Sequence, residues 1–97
     1  MSGQYILDGH NPVRCDDLIQ WGRWFETGDR KVARFEFPNG VVVSTVFLGL
    51  DHSFGGDTPI LFETMVFGGE HDQAQERYAT WDEAEAGHLE MIERVKQ

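Results

Sequence analysis

In the segment Asp51-His52-Ser53-Phe54-Gly55-Gly56-Asp57 this 97-residue chain sets a histidine between two aspartates, in a glycine-bearing loop flanked by two apolar runs. One imidazole and two carboxylates are ligand types for a divalent cation, so Asp51, His52 and Asp57 form the candidate metal set. The spacing completes no zinc motif, because adjacent residues point apart unless the loop curls and no second histidine stands at a helical i, i+4 offset. His10, His71 and His88 could join only through the fold. Turn formation accounts for the same aspartates, since an Asp side chain can bond to the backbone two residues on. Gly55-Gly56 suits a turn in the same way, with neither a GxGxxG nor a Walker pattern around it.

Nucleophilic chemistry needs an activated hydroxyl or thiol with a base in reach. Ser44, Thr45, Ser53 and Cys15 are the available groups, and none lies in a nucleophile elbow. Ser44 and Thr45 fall in mid-strand, where a hydroxyl packs facing a neighbour. Cys15 precedes a helix whose dipole would activate it, but Asp16 and Asp17 oppose that effect. Glu63, inside Leu61-Phe62-Glu63-Thr64-Met65, is the carboxylate best placed for acid–base work. Its alternative reading is a solvent-facing strand residue paired with Arg34. His88 lies on the apolar stripe of a helix, where a buried histidine with one hydrogen-bond partner is expected.

The elements that must position these groups follow from periodicity. Gln4–Leu7 predicts a short strand, followed by a turn at Gly9, Asn11 and Pro12. Asp16 and Asp17 open a helix whose Leu18, Trp21, Gly22 and Phe25 share a face, and Gly28 ends it. From Lys31 the period becomes two, with Ala33, Phe35 and Phe37 alternating with Arg34 and Glu36. Pro38-Asn39-Gly40 reverses the chain into Val41–Leu50, a β-branched run suited to a sheet interior. Pro59–Phe67 supplies the third antiparallel strand, and Glu76–Ala79 a short edge strand. Thr80-Trp81-Asp82-Glu83 has the form of a capping box opening a helix with the apolar stripe Trp81, Ala84, His88, Met91, Ile92 and Val95. The order β-α-β-β-β-(β)-α predicts an α+β fold: an antiparallel sheet of three to five strands with two helices packed on one face, in a single domain over residues 1–97.

Composition bounds the partners. Seventeen acids against eight bases give a formal charge of −9, which repels phosphate and argues against nucleic acid. Residues 68–97 hold eight of the acids and three of the bases, so an acidic surface is expected there. The single cysteine allows no internal disulfide, and no basic stretch followed by an apolar one opens the chain, which points to a cytoplasmic setting. Val41–Leu50, interrupted by Ser44 and Thr45, is far short of the ~20 residues of a membrane helix, so no membrane is expected. Nine of the aromatics (Trp21, Trp24, Phe25, Trp81, Phe35, Phe37, Phe47, Phe62 and Phe67) exceed what one small core encloses. Exposed tryptophan beside arginine has the composition of a binding hot spot. Trp24 and Arg23, with the acidic Glu83, Glu90 and Glu93, form the expected interaction surface.

The segments Asp16-Asp17-Leu18-Ile19-Gln20-Trp21-Gly22-Arg23-Trp24-Phe25-Glu26, Val43–His52, Leu61–Gly69, Glu76-Arg77-Tyr78 and Thr80–His88 together resemble small bacteriophage and prophage accessory proteins of about this length. The resemblance spans nearly the whole chain and implies a setting, the host cytoplasm, while carrying no activity, cofactor or catalytic residue to transfer. The expected function is binding of a protein, either a host or defence factor or a second copy in a homodimer, without catalysis and without a cofactor. A small-molecule or metal-assisted enzyme using the 51–57 loop is the alternative, and a structural component of the virion a further one.

Overall fold

The structure, a computed structural model, describes residues 3–53 and 55–96. It has the α+β class read from the sequence: a two-stranded hairpin, a four-stranded antiparallel sheet and two helices. The hairpin joins β1 (Tyr5–Asp8) to β2 (Asn11–Arg14), and α1 (Leu18–Thr27) follows. Next come β3 (Lys31–Glu36), β4 (Val42–Phe47), β5 (Phe62–Phe67) and β6 (Gln75–Tyr78), which pair in sequence order, and α2 (Trp81–Lys96) closes the fold.

Local chemistry explains the boundaries. The Asp17 carboxylate accepts from the amides of Ile19 and Gln20 at 3.0 and 3.2 Å, satisfying orphan donors of the first turn of α1. The expected capping box is present at α2, with Thr80 Oγ1 accepting from Glu83 N at 3.1 Å and Glu83 Oε1 accepting from Thr80 N at 3.3 Å. Between β3 and β4 the Asn39 side chain accepts from Val41 N, and Gly40 takes a φ of 92°, where a Cβ would be strained.

Two details differ from the sequence reading. The segment expected as a turn at Asn11 and Pro12 is instead β2, paired residue for residue with β1. A short ribbon tolerates Pro12 because its missing N–H can face away from the partner strand. In α1, Leu18 was expected on the buried face but is 63% exposed, and no residue of this helix is fully buried. The reason is that α1 packs chiefly on β1, which covers only part of its apolar stripe.

The core lies between α2 and one face of the four-stranded sheet. Alternation along β4 and β5 sends Val43, Thr45 and Phe47, with Phe62, Thr64 and Val66, to that face, all at 0% exposure. One apolar cluster joins Val41, Val43, Val66, Met91 and Ile92; a second joins Phe47, Leu61, Phe62 and Ala84. Trp24 of α1 reaches the second cluster, meeting the Phe47 ring edge-on at 5.6 Å, and Tyr5 and Leu7 of the hairpin reach it too. The hairpin is anchored by Trp21 Nε1, which donates to the carbonyls of Tyr5 and Gly49 at 3.1 Å each, and by a stack of His10 on Trp81 with centroids 3.8 Å apart.

At Gly87 α2 runs close against the side chain of Tyr78 on β6, because a Cβ there would collide with its ring. Gly87→Ala should therefore destabilise by about 1–3 kcal/mol through overpacking, although alanine is the better helix former by about 1 kcal/mol. In a Tyr78→Ala background the same change should become stabilising. Urea midpoints for the four proteins of this cycle test the sign reversal, and an equal effect of Gly87→Ala in both backgrounds would refute the contact.

Candidate functional site

The loop that carries the candidate metal set is organised by Asp51. Its Oδ1 accepts from the amides of Ser53 at 2.8 Å and Ile60 at 2.9 Å, tying both sides of the loop together. The same backbone donors, to Ser53 first and then Ile60, hold the Asp51 carboxyl below its ordinary range. The N-terminal segment borders the loop, with Asp51 N donating to Gly3 O and Tyr5 N to Gly49 O. His52 is half-buried and donates its amide to Ile60 O, while Asp57 is exposed. No group of three or more His, Cys, Asp or Glu is placed to hold a metal among the described residues, and Phe54 of this loop lies outside them. Asp51 thus does the work of a turn lock.

Glu63 finds a different partner from the one its sequence context suggested. Its Oε2 accepts from Arg77 Nε at 3.0 Å, across the β5–β6 pair, whereas Arg34 bonds Glu36 on its own strand at 3.3 Å. The physical reason is strand order: β4 separates β3 from β5, so Arg34 stands opposite Ser44 rather than Glu63.

The most concentrated polar chemistry is inside the core. Thr45 Oγ1 lies 2.6 Å from Thr64 Oγ1 and 2.7 Å from His88 Nδ1. A hydroxyl has one proton to donate, so the three groups form a directional chain. With Nδ1 as acceptor, Thr64 donates to Thr45 and Thr45 to His88; with Nδ1 protonated, His88 donates to Thr45 and the bond between the two threonines can run either way. Either arrangement keeps two hydrogen bonds. Burial decides between the charge states, pushing the His88 pKa below its ordinary value of 6.5 so that the neutral ring is favoured.

A hydroxyl within hydrogen-bond reach of an imidazole is the geometry of an activated nucleophile. Here both threonines are at 0% exposure and His88 is at 5%, so no substrate reaches Thr45 Oγ1 in this conformation. Beside this chain, the Tyr78 hydroxyl and Trp81 Nε1 are buried without hydrogen-bond partners among the described residues. The sequence marked Thr45 as a mid-strand hydroxyl and His88 as a stripe histidine. Nothing in it linked the two, which are 43 residues apart.

The expected interaction residues fall in different surroundings. Trp24 is half-buried against Phe47, while Arg23 beside it is exposed. The Glu83 carboxylate is committed to the start of α2, accepting from both Ala79 N and Thr80 N. Glu90 and Glu93 are exposed on the solvent side of α2, around Leu89, which is 64% exposed. The sequence held a signal for Leu89, since it falls off the stripe that buries Ala84, His88, Met91 and Ile92. Among the described residues the exposed aromatics are Phe35 and Phe67, at 40% and 49%, and all three tryptophans are half-buried.

Because His88 is more easily protonated once unfolded, stability is full above pH 6.5 and falls as pH drops through that value toward the lower folded-state pKa. The melting temperature should decline between pH 7.5 and 5, and His88→Gln, which is never charged, should flatten that decline. A parallel decline in the variant would refute the assignment. Asp51→Ala should cost about 1–2 kcal/mol at pH 7, read from urea unfolding, because two amide donors lose their acceptor. Comparison with protein-family models, with curated proteins and with solved structures gives no match for this chain.

Proposed function

We propose that this protein is an accessory module that acts by binding another protein, through the acidic outer side of α2. The observation that carries the reading is Leu89: a large apolar side chain, 64% exposed, in the midst of Glu85, Glu90 and Glu93. An open depression of about 400 Å³ lies beside it, lined by Leu89, Glu90, Glu93 and Arg94. The ridge is built on a helix that the core holds rigidly, so its side chains are displayed with little ordering cost. Its ion pairs, Arg94 with Glu76 at 3.7 Å and Lys96 with Glu93 at 3.0 Å, are solvent-exposed and release their acids easily to a competing cation.

The partner that fits is a basic protein surface with a small apolar recess for Leu89. A chain of formal charge −9 attracts such a surface at long range, and the attraction fades with salt. A host or defence factor met in the cytoplasm, as the resemblance to phage accessory proteins implies, is the setting this reading favours.

The test is capture from a bacterial host lysate by the immobilised protein, run beside a Glu90→Lys/Glu93→Lys variant whose circular dichroism matches. A protein retained at low salt should be lost at 0.5 M NaCl, and the variant should retain at least tenfold less of it. Equal retention by the two proteins, or none by the unmodified one, would overturn the reading.

A further inference from the structure

We infer that the face of the four-stranded sheet turned away from α2 is the contact surface for a second copy of this chain, giving a weak face-to-face dimer. The register defines that face. Val43, Thr45 and Phe47 point to α2, so Val42, Ser44 and Val46 point the other way, joined from β5 by Glu63, Met65 and Phe67. Phe67 is 49% exposed, and it stands opposite Val42 while Met65 stands opposite Ser44. Val42, Val46, Met65 and Phe67 form its apolar part around Ser44, and the charges beside them are held in the ion pairs Arg34–Glu36 on β3 and Arg77–Glu63 across β5 and β6.

Charge selects the occupant. With Lys31 at the bulged end of β3, this face holds three of the chain's eight bases and only two of its seventeen acids. Every other surface shares the remaining five bases and fifteen acids, so two copies meeting there repel. On this face the local charge is close to balance, so only the long-range repulsion between the two chains opposes the contact across a two-fold axis. A strongly basic partner gains nothing here and would be drawn to α2 instead. Pairing through the free edge of β3 is opposed by the bulge between Lys31 and Ala33 and by the charges of Lys31, Arg34 and Glu36.

Size sets the strength. Four strands at ~4.8 Å spacing and about six residues each at ~3.3 Å cover roughly 400 Å². That is about half the ~800 Å² per partner of a standard interface, so the dimer should be concentration-dependent, with packing of the two sheets in the aligned arrangement. It is a different surface from the one proposed for a basic partner, and its salt dependence has the opposite sign: screening relieves the repulsion between two −9 chains.

Sedimentation equilibrium up to 1 mM protein tests this, at 50 and 500 mM NaCl. The expected result is a monomer–dimer equilibrium that tightens severalfold at the higher salt, and that weakens at least tenfold in Met65→Lys/Phe67→Lys. Because that variant could disturb the sheet, the unmodified protein is also followed by nuclear magnetic resonance on dilution, where shifts should concentrate at Val42, Val46, Met65 and Phe67. A monomer at every concentration, shifts confined to the β3 edge or to α2, or a variant that dimerises as tightly as the parent would each overturn the proposal.

Discussion

The hydrogen-bonded chain Thr64–Thr45–His88 is the constraint on which the rest of the structure depends. It sits at the middle of the interface between α2 and the sheet, with Val43, Val66, Met91 and Ile92 on one side and Phe47, Phe62 and Ala84 on the other. Apolar contacts alone would tolerate a sliding helix, because one aliphatic surface resembles the next. A displacement of α2 by one turn, or of β4 against β5 by a residue pair, would leave a buried hydroxyl or imidazole without a partner, at a cost of about 1–3 kcal/mol for each. Three polar side chains therefore set the register that the apolar ones reward.

Around that axis the two ends are finished differently. At the end holding Val41, Met91 and Val95 the closure is mostly aliphatic, with Phe37 its one aromatic neighbour among the described residues; at the other it is aromatic, with Phe47 and Phe62 met by Trp24, Trp81 and Tyr78. The aromatic end is also where the hairpin and α1 attach, through the two acceptors of Trp21 Nε1 and the His10–Trp81 stack. Tryptophan suits the task because it supplies a broad apolar surface and one directional donor. The aromatic surplus evident in the composition is thus spent mainly on joining a peripheral hairpin and helix to the sheet.

The same layered arrangement separates the charge. With one face of the sheet covered and α2 lying across it, Glu85, Glu90 and Glu93 of α2 are turned to solvent, while the opposite sheet face keeps near-balanced charges beside Val42, Val46, Met65 and Phe67. The two surfaces thus differ in electrostatic character, which is what keeps the two proposed contacts from competing. Buried chemistry takes no part in either, since Thr45 and His88 are shielded by the elements they align.

Local chemistry was legible in the sequence wherever a few adjacent residues suffice to satisfy the backbone. The capping box at Thr80, the Asp17 helix start, the Asn39-Gly40 reversal and the turn-forming role of Asp51 each involve donors and acceptors within ten residues, so their outcome is written in the order of the residues. Alternation and helical spacing likewise determined the α+β class and which side of α2 is apolar, whereas the two faces of β4, Val42, Ser44 and Val46 against Val43, Thr45 and Phe47, read alike along the chain. Only the tertiary structure decided that β2 pairs with β1, that Glu63 meets Arg77 rather than Arg34, that Leu18 is exposed, and that Thr45 meets His88. Those outcomes turn on which strands are neighbours and how much of a helix its support covers, and such relations in space have no counterpart in the spacing of residues along the chain.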